Sequence, residues 1–290
     1  MTVERIVALL TCHNRVERTT TCLGSLFSQE LPDGLAVEAV LVDAGSTDGT
    51  AEAVAEQFPE VMVLRRGDDL FWNGGMREAF NYAHAGDPDH YLWLNDDVEL
   101  DPDAIARLYV AHGELAQRRP AAAIVAGSTR DPQTGELTYG GVVRPDRLRR
   151  MRYSIVEPTE TLQQVETMNG NCVLVPRQVA ARLGNLTAAY THGMGDYDYG
   201  HRATRAGFEI WITPGTIGTC ARNPAPVRAT TLSEQRRRTT SAKSGLPPAE
   251  WTTFVRRWGG PLWPALALSP YLRRTTQWAT GRSGTGLDGT

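Results

Sequence analysis

Four short apolar runs, each ending in polar residues, constrain this chain more than anything else in it. They are Arg5-Ile-Val-Ala-Leu-Leu-Thr11, Val37-Glu-Ala-Val-Leu-Val-Asp43, Val61-Met-Val-Leu-Arg65 and Tyr91-Leu-Trp-Leu94. Continuous rather than alternating runs suit strands buried on both faces, and helical patterns fill the gaps between them. Repeated strand–helix units predict an α/β fold, a doubly wound and mostly parallel sheet. Sheets of this kind bind ligands beyond the carboxyl ends of their strands, so the polar clusters become the candidate site.

The fourth run breaks into Asn95, Asp96 and Asp97. Adjacent carboxylates at a strand end are costly unless a cation or hydrogen-bond donors answer them. Mg²⁺ or Mn²⁺ on a diphosphate would do so, since such ions take one or two carboxylates and complete their shell with water and phosphate oxygens. A plain helix cap before Pro102, by Asp97 or Asp101, would also explain the acids. Asp43 closes the second run and opens Asp43-Ala-Gly-Ser-Thr-Asp-Gly-Thr50. There it can accept from a ribose or base. Gly74 and Gly75 are expected at a helix start, where backbone and Arg77 would favour an anion.

At 290 residues the chain suffices for one large α/β domain plus an appendage. No run reaches the roughly 18 apolar residues of a membrane-spanning helix, and the N-terminus is too short and acidic for a signal peptide. Cysteines 12, 22, 172 and 220 lack zinc-site spacing, which suggests reduced thiols in a cytoplasmic protein. From Arg222 onward there are 11 Lys and Arg against 3 Asp and Glu, and before it 19 against 30. An acidic body and a basic tail suggest different partners for the two parts.

Thr11-Cys-His-Asn-Arg15, Val42-Asp-Ala-Gly-Ser-Thr-Asp-Gly-Thr50, Leu94-Asn-Asp-Asp-Val98 and Gly193-Met-Gly-Asp-Tyr-Asp-Tyr-Gly-His-Arg202 occur in that order. The series resembles the inverting family 2 glycosyltransferases with the GT-A fold, in their rhamnosyltransferase-like branch. The resemblance implies a small antiparallel part beside the parallel sheet, and a donor nucleotide held by Thr11, Asn14, Arg15, Asp43, Ser46 and Asp48. It places Asn95, Asp96 and Asp97 on the metal motif, with Asp97 the direct ligand of Mg²⁺ or Mn²⁺. Asp196 falls on the catalytic base, and Asp198 and Arg202 on neighbouring positions that shape the acceptor side. Met168-Asn-Gly-Asn-Cys172 matches the strand lining the donor sugar, where Gly170 allows close approach and Asn169 or Asn171 bonds sugar hydroxyls.

One departure concerns the metal. Relatives carry a His after the acidic segment, whereas no His follows His201 here and Thr219 or Cys220 stands in the comparable place. A thiolate is a poor Mg²⁺ ligand, which leaves the third metal ligand open.

Residues 1–223 therefore read as a catalytic domain, 224–280 as a basic, Trp-rich helical extension and 281–290 as a disordered tail. Four of the seven tryptophans, at 251, 258, 263 and 278, lie in the extension among Arg pairs. Such a segment can touch an anionic membrane peripherally, form a homodimer, or pack on the catalytic domain. Pro261, Pro264 and Pro270 are expected to interrupt any long helix there, which favours packing. The Arg144–Arg152 stretch, with five arginines, is either an acceptor-phosphate contact or a solvated loop.

The expected activity is inverting transfer of a sugar from a nucleotide-diphosphate donor, UDP- or dTDP-linked, to a hydroxyl of a glycan, lipid-linked or small-molecule acceptor. No nucleic-acid partner is expected, and the expected location is the cytoplasm, with association with the inner face of the membrane as a further option. A sugar-phosphate nucleotidyltransferase would need a Gly-rich loop after the first strand, and Thr11–Arg15 has none. A non-catalytic nucleotide-sugar-binding module would not need Asp196.

Overall fold

The computed structural model describes residues 3–118, 122–146, 150–222, 229–242 and 246–280. The expected tail at 281–290, the 223/224 boundary and part of the arginine stretch lie outside them. Strand β1 (Glu4–Cys12), helix α1 (Val16–Phe27), β2 (Leu35–Ala44), α2 (Thr50–Gln57), β3 (Met62–Arg66), α3 (Phe71–His84) and β4 (His90–Leu94) form the strand–helix series. β1 and β4 are buried almost throughout, as their continuous apolar character requires. A two-residue β5 (Glu99–Leu100), α4 (Ala104–Arg118), β6 (Ala123–Arg130) and β7 (Leu137–Tyr139) follow.

Next come β8 (Gly141–Val143), β9 (Ser154–Ile155), β10 (Gln163–Val165), β11 (Thr167–Met168) and β12 (Cys172–Pro176). Helices α5 (Arg177–Leu183) and α6 (Gly195–Arg205), β13 (Glu209–Thr219), α7 (Leu232–Thr240), α8 (Pro248–Trp258) and α9 (Trp263–Thr280) complete the described chain. The main sheet runs β10-β13-β6-β12-β4-β1-β2-β3, with β5 paired to β13 and β7 to β6. β11-β8-β9 form a separate small sheet, which is antiparallel. From β4 to β3 all pairs are parallel; β12 then runs antiparallel between β4 and β6.

The chain travels outward from β1 through β2 to β3 and returns to place β4 on the other side of β1. The order therefore reverses between β1 and β4, and the loops after them open a crevice at that switch point. Apolar layers cover both faces of the sheet, one centred on Leu10, Leu23, Leu92 and Leu108, the other on Leu9, Met76, Trp93 and Tyr199.

A third apolar cluster joins the C-terminal helices to the sheet domain. Trp251, Phe254 and Val255 of α8 meet Tyr190, Met194 and Tyr197 around the start of α6. Helix α8 begins on Pro248, where no amide hydrogen is missed. The expectation that proline would break this region is corrected for α9, which runs 18 residues through Pro270. Proline removes the amide that would bond the carbonyl four residues back. That carbonyl belongs to Leu266, and Ser269 Oγ donates to it instead at 3.1 Å.

Candidate active site

The loops after β1 and β2 are laced together. Asn14, with a left-handed φ of 52°, donates its amide to Ser46 Oγ at 2.9 Å and accepts from the Thr47 amide at 2.7 Å. His13 Nδ1 lies 2.7 Å from the Ala44 carbonyl. Asp48 accepts from the Val16 and Thr50 amides, which ties the start of α1 to the start of α2. These donors hold its carboxyl below the ordinary carboxylate range, with the Thr50 hydroxyl the strongest cause. Buried Asp43 accepts the Ser46 amide on Oδ1, and its other oxygen has no partner among the described residues. Ser46, Asn14 and Asp48 thus act as a frame that presents Asp43.

Arg15 reaches from this frame to the acidic strand end. Its Nη1 donates to Asp96 Oδ1 at 3.0 Å and to Asp97 Oδ2 at 3.1 Å, and Arg18 stands 3.8 Å from the same Asp97 oxygen. Asp96 is buried, and desolvation pushes its carboxyl up to about 6 against the pull of Arg15. Asp97 borders a cavity of about 160 Å³ with Arg18, Glu99, Thr219 and Cys220. Cys220 Sγ lies 3.5 Å from Asp97 Oδ1. Burial, and then Asp97, push its thiol up strongly, so it stays protonated. Among the described residues, no three His, Cys, Asp or Glu side chains converge to hold a metal. The donor set fits a hard cation held by Asp97 and completed by phosphate and water oxygens, not a closed protein cage.

The site continues across β12. The Asn95 amide donates to the Asn171 carbonyl at 2.9 Å, and Asn171 Nδ2 lies 3.7 Å from Cys220 Sγ. Trp72 Nε1 donates to Asn95 Oδ1 at 2.7 Å, and its ring lies over Gly170, where a Cβ would come within 2.5 Å of it. The Gly170 amide in turn donates to Asp196 Oδ2 at 3.0 Å. Asp97, Cys220, Asn171, Gly170 and Asp196 are therefore joined by contacts along one wall. Asp196 sits in the first turn of α6, after Met194 in a left-handed conformation. Burial raises its carboxyl to about 6, although the Tyr197 and Gly170 amides pull the other way.

Asp198 and Arg202, expected on the acceptor side or just behind it, form the core of a buried ion network. Asp198 has no exposed surface and accepts from Tyr190 Oη, Arg202 Nε, Arg257 Nη1 and Trp258 Nε1. Arg202 spends its remaining nitrogens on the Leu183 and Asn185 carbonyls. Glu250 of α8 accepts from the Thr191 amide and hydroxyl.

The glycine pair is also corrected. Helix α3 starts at Phe71, so Gly74 and Gly75 lie inside it; Gly75 exists because a Cβ there would meet Thr11 Oγ1 at 2.1 Å. Gly74 faces Leu70, and Arg77 donates to the Leu186 carbonyl instead of facing the crevice. Arg18 is a part of the crevice that the sequence reading did not place there. An Arg three residues after Arg15 on a helix was the available sign for Arg18, since that spacing puts both on one face.

Fold and site together define a GT-A-type α/β protein, with its crevice at the β1/β4 switch point. Residues 8–183 match the family model Glycosyl transferase family 2, and the chain belongs to that family. It is 30% identical over 197 residues to two proteins of Mycobacterium tuberculosis, from strains CDC 1551 / Oshkosh and ATCC 25618 / H37Rv. Each is named N-acetylglucosaminyl-diphospho-decaprenol L-rhamnosyltransferase. The match covers 59% of this chain and 62% of each relative, so the chain spans less than two thirds of their length. Mannosyltransferase PcManGT from Pyrobaculum calidifontis, solved in complex with GDP-Man and Mn²⁺, has a TM-score of 0.55 at 19% identity. It covers 98% of this chain and 77% of its own, a likeness of fold.

Proposed function

We propose that this protein is an inverting glycosyltransferase. It moves a hexosyl or deoxyhexosyl group from a UDP- or dTDP-sugar to a hydroxyl of a glycan, lipid-linked or small-molecule acceptor. The observation that carries the reading is Asp196: a mostly desolvated carboxylate with its pKa near 6, fixed by two amides and joined by one wall to Asp97. A general base works best when its pKa approaches the working pH.

In this reading Thr11, Asn14, Arg15, Asp43, Ser46 and Asp48 hold or frame the nucleoside diphosphate, and Gly170, Asn171 and Trp72 line the sugar. The acceptor oxygen forms its bond to the anomeric carbon as the bond to the diphosphate breaks. Its proton passes to Asp196, and the departing electron pair stays on the diphosphate. Arg15 and Arg18 face that developing charge from the side of Asp97. Asp97 would hold Mg²⁺ or Mn²⁺, which supplies further neutralisation of the leaving diphosphate. Attack from the side opposite the diphosphate inverts the anomeric carbon.

Residues 1–223 act as the catalytic domain and 224–280 as an extension that packs on it. No described helix is long and apolar enough to cross a membrane. The diphospho-decaprenol in the name of the curated relatives supports a lipid-linked diphosphate acceptor. Leu262, Leu268 and Leu272, each more than 60% exposed beside the arginines of the extension, support a peripheral contact with a membrane.

Incubation with UDP-, dTDP- and GDP-sugars, with and without Mn²⁺, tests the reading. A donor should raise Tm and be slowly hydrolysed. If no donor does either, the reading fails.

A further inference from the structure

The last turns of three helices converge away from the proposed transfer centre. Arg182 of α5, Arg202 and Arg205 of α6 and Arg257 with Trp258 of α8 line an open concavity of about 410 Å³, with Leu183 and Ala206 between them. Arg205 is nine residues beyond Asp196 on α6, about 13 Å along the helix axis at 1.5 Å per residue. The concavity is therefore a separate place from the donor crevice.

Charge here is only partly answered. Arg202 and Arg257 share the single carboxylate of Asp198, and Arg182 and Arg205 have no ion-pair partner among the described residues. Basic side chains in a helix's last turn answer its carbonyl dipole, and that is the plain explanation of each arginine by itself. The dipole amounts to about half an elementary charge per helix end. Three such ends and one carboxylate offset about two and a half charges out of four. Arg202 contributes charge only, because its nitrogens are spent on Asp198, Leu183 and Asn185. Arg182, Arg205 and the remaining nitrogens of Arg257 offer free guanidinium forks around one space, and such forks match phosphate oxygens in pairs.

We propose that this concavity is a second anion site, which takes the phosphate or diphosphate group of a ligand other than the donor nucleotide. Three forks from three elements approach it, and the Trp258 ring, held by its Nε1 bond to Asp198 at 2.9 Å, forms part of the wall. The site is independent of the transfer chemistry. A protein with no activity at all would still carry the site.

The test uses the full chain and inorganic pyrophosphate at low ionic strength, followed by calorimetry. Three forms are compared: wild type, Arg182→Gln/Arg205→Gln, and Arg15→Ala. Arg182 and Arg205 are exposed and bond nothing described, so their replacement should lower Tm by no more than the loss of two helix-end charge contacts. Wild type and Arg15→Ala should bind, and the double variant should bind at least tenfold more weakly. Equal binding by the double variant and wild type overturns the proposal, as does loss of all binding in Arg15→Ala. Sedimentation with phosphatidylglycerol and phosphatidylcholine vesicles then separates the sources. Retention on the anionic vesicles alone, lost in the double variant, assigns the phosphate to a lipid. Pyrophosphate binding without vesicle retention assigns it to a soluble phosphorylated ligand. No binding of either probe overturns the site.

Discussion

Arg257 Nη1 lies 2.7 Å from Asp198 Oδ1, and this contact fastens the C-terminal helices to the helix that carries Asp196. A single residue, Tyr197, separates the anchored acid from the proposed base. The extension thus fastens the helix that carries the proposed base.

Replacement of Asp198 should be costly. Asp198→Ala leaves Arg202 and Arg257 without their shared counter-charge and removes the acceptor of Tyr190 and Trp258. Breaking a buried pair of this kind costs about 3–5 kcal/mol. Urea denaturation should show a loss of that order, and Arg257→Ala a smaller one because Arg257 is 35% exposed.

Asp196→Asn keeps the shape of the base and removes its proton affinity. Turnover should fall by about 10²–10⁴-fold, with the donor dissociation constant nearly unchanged. An active variant would exclude Asp196 as the base.

The acidity of Asp196 gives a pH profile with a defined sign. Below about 6 the folded protein holds a proton on this carboxyl, so turnover should decline tenfold per unit as pH falls past that value. The folded pKa is raised above the ordinary 3.8, so the group's contribution to stability is complete below the unfolded value and lost as pH rises through 6. Asp196→Asn should therefore be at least as stable as wild type at pH 8 and lose any advantage at pH 4, read as Tm at the two values.

Gly170→Ala brings a methyl within 2.5 Å of the Trp72 ring. The ring must shift and its bond to Asn95 must stretch. A loss of about 1–3 kcal/mol is expected from such overpacking, with weaker donor binding in the same variant. Thermal unfolding and donor titration measure the two effects.

Cys220→His should tighten Mn²⁺ binding, since imidazole suits Mn²⁺ better than a thiol does and the side chain faces Asp97. Mn²⁺ binding followed by electron paramagnetic resonance with nucleoside diphosphate present gives the readout. An unchanged affinity would place the ion away from Asp97.

Much of the crevice was legible because its loops follow strands whose apolar runs are unmistakable, and Asp43 and Asp97 end those runs. Gly75 was misread for a physical reason. A glycine that admits Thr11 and one that admits a ligand leave the same mark in a sequence. Proline signals failed at Pro270 because a neighbouring serine satisfies the orphaned carbonyl. The partners of Asp198 were hidden by distance: Arg257 lies 59 residues further on, and no local periodicity reports such a pairing.

That separation along the chain bears on biosynthesis. A nascent polypeptide carries Asp198 before Arg257 and Trp258 have been made, and the carboxylate is then answered by Arg202 and Tyr190 alone. Folding proceeds from the N-terminal side as synthesis advances, so the donor loops can form first. The two amides that hold the proposed base are in place early, whereas the helix beneath it gains its second cation and the Trp258 donor only when α8 arrives.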